Sequence, residues 1–435
     1  MLRFGTDGVR GRALTELTPD YVASLGRAAA AVLGGGRWVV GRDTRESGPR
    51  LVSALVAGLG AEVIDLGVVP TPALAYWSQR LGLPGAMVTA SHNPWHDNGV
   101  KIFAAGGTKL SDEVERAIEG ALGEVVDVPA QFDTTSSDTA STVAADYVAH
   151  VVSALSPLSE LHVVLDCANG AMSGVAPGAF ERLGARVTVI HASPDGRNIN
   201  DQCGATSPAS LAETVVAEGA HLGLAFDGDG DRVIAVDHLG NVVDGDRLIA
   251  LAALQLREEG HLVDDTVVVT VMTNLGFRRA MERQGIHVVE TAVGDRYVLE
   301  ALDAGGYAVG GEQSGHIIYR RIATTGDGLL AGLRLAEHVV QRGRPLADLA
   351  GEVMTSYPQV LVNVRVAERH PHVADELATE IAAAEAGLAG EGRILVRASG
   401  TEPLVRVMVE AATDELARRT ADELADVVRE RFATS

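Results

Sequence analysis

His162–Gly174 reads HVVLDCANGAMSG, a valine-rich run that breaks off at Asp166 into small and polar residues before a helical pattern begins. A short continuous apolar run bounded by turn formers marks a strand buried on both faces, as parallel strands covered by helices are. The same sentence is written twice more, as WVVGRDTRESG from Trp38 and TVVVTVMTNLGF from Thr266. About 20–25 residues after each start a second apolar run appears, AEVIDLGVVP from Ala61, ARVTVIHASP from Ala185 and IHVVETAVGD from Ile286, a spacing that fits one βαβ crossover. A third run then ends in an unusual loop: GAMVTASHNP around Ser91, LGLAFDGDGDR around Asp227, AVGGEQSGH around Glu312. Apolar residues resume as VKIFAA, VIAVD and HIIYR, so a returning strand is predicted after each loop.

Open α/β sheets bind ligands beyond the carboxyl ends of their strands. All three loops fall at such ends, so three similar domains facing one cleft would bring Ser91, Asp227 and Glu312 together. After LLAGLRLAEHVV, Tyr357–Pro358 breaks the pattern, and alternating LVNVRV, then ILVRASGTEPLVRVMVEA and a closing helix read as a small α+β unit. The expected architecture is three similar α/β domains with mixed sheets around a central cleft plus a C-terminal α+β domain, over 1–155, 156–250, 251–355 and 356–435. DTTSSDTAST, Asp133–Thr142, has no hydrophobic period and reads as an exposed loop before a helix holding Tyr147.

Bulk properties narrow the function. At 435 residues the chain exceeds the roughly 250–300 at which single cores stop growing. No stretch approaches the roughly 18 apolar residues of a membrane helix, and the opening MLRFGTDGVRGR lacks the apolar core of a signal peptide. Two cysteines, Cys167 and Cys203, make no disulfide framework, and a reducing cytoplasm is the expected home. A formal net charge of −22 argues against nucleic acid and anionic membranes as partners, though a small anion needs only a local basic pocket. Lys101 and Lys109 are the only lysines, which makes Lys101 conspicuous.

The loops carry the chemistry. In DGDGDR, glycines at 228 and 230 let Asp227, Asp229 and Asp231 converge on one hard cation, for which Mg²⁺ fits best. A solvated acidic turn is the ordinary alternative, but carboxylates so close repel one another without a cation. An EF-hand fails because Arg232 stands at its glycine position and a strand follows. TASHNP exposes Ser91 at a strand end, although alone such a serine is more often an ordinary turn residue. His92 and His96 have zinc-helix spacing, but Pro94 between them argues against that helix. Glu312, Gln313, Ser314 and His316 suit a polyhydroxylated ligand, and an acidic group there also suits a sugar ammonium. Arg397, Ser399, Gly400, Thr401 and Arg406 in RASGTEPLVR have the donors of a phosphate cradle, or of a basic surface turn. Arg10 and Lys101 are candidate charge partners for a moving phosphoryl group. No Walker loop or dinucleotide fingerprint is present, so ATP and NAD are not implied.

Taken in order, FGTDGVRG, GRDTRESG, TASHNP, DGDGDR, GGEQSGH and RASGTEP resemble the α-D-phosphohexomutase superfamily along essentially the whole chain. FGTDGVRG, PDGRNIN before Cys203 and the glutamine of GEQSGH are most similar to its bacterial phosphoglucosamine mutase family. Trp95–His96 departs from that pattern, which has two aromatics there. The resemblance implies that Ser91 is a phosphoserine and that Asp227, Asp229 and Asp231 hold Mg²⁺ with a phosphoserine oxygen. It implies that Arg232, Glu312 and Ser314 contact the sugar, and that Arg397, Ser399, Gly400, Thr401 and Arg406 hold the non-reacting phosphate. Lys101 with His316 is the candidate for general acid/base help. The implied reaction interconverts glucosamine 6-phosphate and glucosamine 1-phosphate, primed by hexosamine or glucose 1,6-bisphosphate and feeding UDP-N-acetylglucosamine and cell-wall synthesis. The same chemistry on mannose or glucose phosphate is the alternative; a Mg²⁺-dependent phosphatase and a silent phosphosugar-binding protein are the others. The oligomeric state is left open.

Overall fold

The computed structural model describes residues 2–5, 7–123, 139–399 and 403–432. By contact density the chain divides into two compact units, Met1–Met272 with Ile286–Val353, and Thr273–Gly285 with Met354–Ser435.

The larger unit holds three sheets, each built on the expected repeat. In the first, Arg37–Arg42 lies between Glu62–Val68 and Gly85–Val88, parallel to both, and Asp97–Phe103 returns antiparallel to Gly85–Val88. In the second, His162–Asp166 lies between Arg186–Ile190 and Leu222–Phe226, with Val233–Asp237 returning. In the third, Thr266–Thr270 lies between His287–Thr291 and Val309–Gly311, with Ile317–Tyr319 returning. The strand order return, third, first, second is the same each time, so the mixed sheets follow from the order of apolar runs. Every residue of His162–Asp166, Leu222–Phe226 and Thr266–Thr270 is buried, which is why these strands show no alternation.

FGTDGVRG was expected as a motif and not as structure. It adds two strands, Phe4–Gly5 and Gly8–Arg12, to the open edge of the first sheet, Gly8–Arg12 pairing antiparallel with Asp97–Phe103. Residues 133–138 of the polar DTTSSDTAST stretch lie outside the described residues, and the rest opens the helix Thr139–Val152. That helix buries Tyr147, whose hydroxyl donates to both Asp327 oxygens at 2.8 Å, while Asp327 caps the helix Gly328–Arg342 by accepting from Leu330 N. Cys167 and Cys203 are buried and unpaired. No described helix is long and apolar enough to cross a membrane.

The smaller unit is the α+β element, an antiparallel sheet in the order Gln359–Arg365, Leu404–Glu410, Arg393–Ala398, backed by the helix Asp414–Phe432. It also takes in the helix Leu275–Arg283, which in sequence is the crossover of the third repeat. The tie is polar and buried. Glu410 receives both Arg393 Nε and Nη2 at 3.0 Å and the backbone N–H of Leu275 at 2.9 Å. Asn274 exchanges two 2.9 Å hydrogen bonds with the Tyr357 backbone. Replacing Glu410 by Ala removes the carboxylate that the part-buried Arg393 guanidinium and the Leu275 amide share, and should lower the stability of this unit by about 1.5–3 kcal/mol. Calorimetry should then resolve an early transition, and an unchanged melting profile would contradict the role given to Glu410.

Candidate active site

Ser91 follows the strand Gly85–Val88 and is buried with φ of 53°. Its hydroxyl donates to Asp227 Oδ2 at 2.6 Å, across the boundary between the first and second sheets, and lies 3.3 Å from His92 Nδ1. Burial, and then the charges of Arg232 and Arg10, bring the His92 imidazole down to about 4, so it is neutral at pH 7. Trp95, beside this loop, sits under the Arg197 guanidinium at 5.4 Å from its ring centre.

Asp227, Asp229 and Asp231 offer oxygens all within 4.8 Å of one another. The glycines are needed. A Cβ on Gly228 would stand 2.7 Å from the Ser91 carbonyl, and Gly230 has φ of 72°. Among the described residues, Asp229 Oδ1 and Asp231 Oδ1 are buried without a hydrogen-bond partner. Buried orphan carboxylate oxygens are costly unless something binds them. An all-oxygen donor set with two such atoms is what a hard divalent cation takes, so the cluster fits a metal. Burial first, then Asp231 and Asp229, push the Asp227 carboxyl well above the ordinary carboxylate range. In Asp231 burial pulls the same way, but Lys101 and His316 outweigh it and hold the carboxyl well below that range.

Lys101 projects from the returning strand Asp97–Phe103, and its ammonium lies 2.8 Å from Asp7, Asp229 and Asp231 alike. Burial works against its charge, yet the three carboxylates prevail and keep it well above the usual lysine value. Lys109 continues the pattern, bridging Asp7 at 2.6 Å and Asp295, and Asp295 lies 3.3 Å from His316 Nε2. His316 Nδ1 faces Asp231 at 3.7 Å. Lys101, Asp7, Lys109, Asp295, His316 and Asp231 thus form a closed ring of alternating charge drawn from all three sheets.

Beside the ring is a cavity of about 380 Å³ lined by His92, Arg232, Asp295, Glu312, Ser314 and His316, among others. Glu312 accepts the Gly294 N–H at 3.1 Å, and burial, then Asp295, raise its carboxyl. Among the described residues Ser314 Oγ and Arg232 Nε are buried without hydrogen-bond partners, so this cavity retains hydrogen-bonding capacity for a polar ligand. Arg10 joins through Asp7 and through Asn93 Oδ1 at 3.3 Å.

The larger unit therefore assembles Ser91, Asp227, Asp229, Asp231, Arg10, Lys101, Arg232, Glu312, Ser314 and His316. Arg397, Ser399 and Arg406 belong to the smaller unit, and Gly400 and Thr401 lie outside the described residues. Arg397 and Arg406 are directly opposite on adjacent strands. Burial, then Arg406, lower the Arg397 value, and Arg406 Nε is buried without a hydrogen-bond partner among the described residues. Like charges facing across a sheet are unfavourable unless an anion joins them.

Asp7, His92, Lys109 and Asp295 were not singled out as site residues from the sequence. Lysine scarcity pointed to Lys109 as much as to Lys101, and Asp295 ends the run IHVVETAVGD, beyond the carboxyl end of its strand. A second trio with metal-ligand chemistry, Asp166, His191 and Cys203, is committed elsewhere. Both Asp166 oxygens accept backbone amides, of Ala168 at 2.9 Å and Gly204 at 2.8 Å, and burial, then Asp166 and Asp201, push the Cys203 thiol up to about 12.

Comparison with known proteins places this geometry. The chain matches the phosphoglucomutase/phosphomannomutase alpha/beta/alpha domain I over residues 1–126, domain II over 145–240, domain III over 244–357 and the C-terminal domain over 361–427. It is 52% identical to phosphoglucosamine mutase of Kineococcus radiotolerans, over 99% of each chain. A phosphoglucomutase/phosphomannomutase family protein from Burkholderia thailandensis superposes with TM-score 0.80 at 26% identity, covering 98% of this chain and 97% of that one. Aspergillus fumigatus N-acetylphosphoglucosamine mutase, solved in complex with GlcNAc-6P and magnesium, shares the fold with TM-score 0.71 at 20% identity, over 99% and 96% of the two chains. Built from four matching domains and half identical to such a relative from end to end, the chain belongs to the phosphoglucosamine mutase family of phosphohexomutases, enzymes of the intramolecular phosphotransferase type.

Proposed function

We propose that this enzyme interconverts glucosamine 6-phosphate and glucosamine 1-phosphate, with Ser91 as the phosphoryl carrier. The observation that carries the proposal is the Ser91 hydroxyl 2.6 Å from Asp227, at the rim of a carboxylate cluster with two unpartnered oxygens. Asp227, Asp229, Asp231 and an oxygen of phosphorylated Ser91 would hold Mg²⁺, which when bound supplies positive charge to the phosphoryl oxygens.

The chain's own residues do the rest. Glu312 and Ser314 take sugar hydroxyls, and a carboxylate among Glu312 and Asp295 suits the sugar ammonium. Arg397 and Arg406, with Ser399, Gly400 and Thr401, take the non-reacting phosphate. A sugar hydroxyl attacks the phosphorus of phosphorylated Ser91: the new P–O bond forms as the bond to Oγ breaks, and the hydroxyl proton passes to Oγ. The 1,6-bisphosphate then presents its other phosphate, and Oγ takes that group while returning its proton to the departing sugar oxygen. No water or free phosphate is consumed. Arg10 and Lys101 draw charge from the equatorial oxygens. The ion-paired ammonium of Lys101 suits fixed charge better than proton acceptance, and His316 sits behind Asp231. We therefore move proton handling to His92, whose neutral ring lies 3.3 Å from Oγ. Hexosamine or glucose 1,6-bisphosphate would prime Ser91.

Ser91→Ala should take up no phosphate from glucose 1,6-bisphosphate by intact mass, and should lose at least about 10⁴-fold in turnover. Normal turnover would exclude the covalent carrier. Asp229→Asn should weaken Mn²⁺ binding, followed by EPR, by roughly 10–100-fold or more and raise the Mg²⁺ needed for half activity in step. Unchanged metal dependence would refute the cluster's role. In competing assays kcat/KM for glucosamine 6-phosphate should exceed that for mannose 6-phosphate by at least about tenfold, as expected for one satisfied charge. A reversed ratio would transfer the assignment to the hexose enzymes.

A further inference from the structure

The turn GRDTRESG sends one guanidinium into the core. Arg45 has 0% exposure, and its five N–H groups each meet an acceptor. Nη2 donates to the carbonyls of Ser91 at 3.0 Å and Asn93 at 2.8 Å. Nη1 donates to the carbonyls of Pro94 and, at 3.0 Å, Asp97. Nε donates to Asp43 Oδ2 at 2.9 Å. Four of the five acceptors are thus main-chain oxygens of one short segment, 91–97, and one is the carbonyl of Ser91 itself.

The amide side of Ser91 is held by the same group at one remove. Ser91 N donates to Thr89 Oγ1 at 2.9 Å, and Thr89 Oγ1 donates to Asp43 Oδ2 at 2.6 Å. From the second sheet's domain, Asn200 Nδ2 donates to the carbonyls of Ser91 at 2.9 Å and Asn93 at 3.0 Å. This restraint has something to restrain, because Ser91 adopts φ of 53°, a left-handed conformation that a residue with a Cβ enters at a cost of roughly 1–2 kcal/mol. Released, the loop would relax toward ordinary backbone and turn Oγ away from Asp227.

Resting on the assignment of Ser91 as phosphoryl carrier, we infer that Arg45 is the positioning residue of this reaction: its guanidinium gathers the Ser91–Asp97 carbonyls and holds Oγ aimed at the carboxylate cluster. It touches neither substrate nor metal. Lysine is no substitute, since three donors on one point cannot reach acceptors spread around a planar fork. Asn200 is the second half of the clamp, from the neighbouring domain.

The test follows Ser91 phosphorylation by glucose 1,6-bisphosphate, timed by intact mass, beside steady-state kinetics and melting temperature. Arg45→Lys and Arg45→Ala should keep KM for the sugar phosphate within about threefold while the phosphorylation rate and kcat fall together by on the order of 100-fold, the cost of misplacing a reacting atom by about 1 Å. Added guanidinium ion should restore part of the rate to Arg45→Ala and none to wild type. Because Arg45 variants can fold poorly, Asn200→Gly, which keeps the left-handed backbone of Asn200 (φ of 57°) without strain, provides an independent arm, expected to lose about tenfold in the same rate with little change in melting temperature. Wild-type phosphorylation rates per folded molecule in Arg45→Lys and Asn200→Gly would overturn the inference, as would kcat and KM shifting equally. If wild-type protein itself takes no phosphate on Ser91, the carrier assignment falls, and this inference falls with it.

Discussion

Everything at the site is arranged around the Lys101 ammonium, equidistant at 2.8 Å from Asp7, Asp229 and Asp231. Burying a charge is expensive, and removing one member of a buried group leaves the others uncompensated. The chain meets this by continuing the set through Lys109, Asp295 and His316, so Asp7 lies between two lysine ammoniums, and Asp231 and Asp295 each between a lysine and the His316 imidazole. The ring takes members from all three sheets of the larger unit, so the electrostatics that shape the site also set the registry of its domains. It also explains the lysines. A guanidinium is a planar fork, whereas an ammonium is a compact point charge that fits among three carboxylates. In a chain whose other cationic Lys/Arg side chains are all arginines, Lys101 lies where three carboxylates crowd one point.

Two charged sets in the protein follow opposite electrostatic strategies. At Ser91 the protein presents an excess of buried carboxylates with unpartnered oxygens, a site completed by a cation. At Arg397 and Arg406 it presents two guanidiniums directly opposed on neighbouring strands, a site completed by an anion. Each is poorly satisfied alone, and in each the shortfall is what gives a charged ligand its binding free energy. The overall charge of −22 says nothing of either. It is a sum over the whole chain, buried groups included, and binding is decided by local sets of donors.

Much of this was legible in the residues. Strands buried on both faces appear as unbroken apolar runs, so HVVLD, LGLAF and TVVVT declared themselves, and the loops after third strands had to lie at carboxyl ends. Ser91, the three aspartates, Glu312 and His316 were reachable by that rule. The opening FGTDGVRG was not readable as strand, because glycines and charges at a sheet edge leave no alternation to detect. Arg45 was hidden for another reason. Its partners are carbonyls, which carry no letter in the sequence, and they sit some 46 to 52 positions away. Nor does helical period in LGFRRAMER say which core the helix Leu275–Arg283 will join, since the pattern records only that one face is apolar.

That last helix has a consequence for how the molecule comes into being. The chain passes between its two units at Met272–Thr273, Gly285–Ile286 and Val353–Met354, so the smaller one is made of two stretches separated by most of the third repeat. A ribosome therefore releases its first piece well before the second exists, and the start of the early helix must wait for Tyr357 and Glu410, the partners of Asn274 and the Leu275 amide, to emerge. No single cut along the chain separates the two units. Any shortened gene product ending near Val353 would carry an orphan helix into the cell, a natural handle for chaperones and proteases.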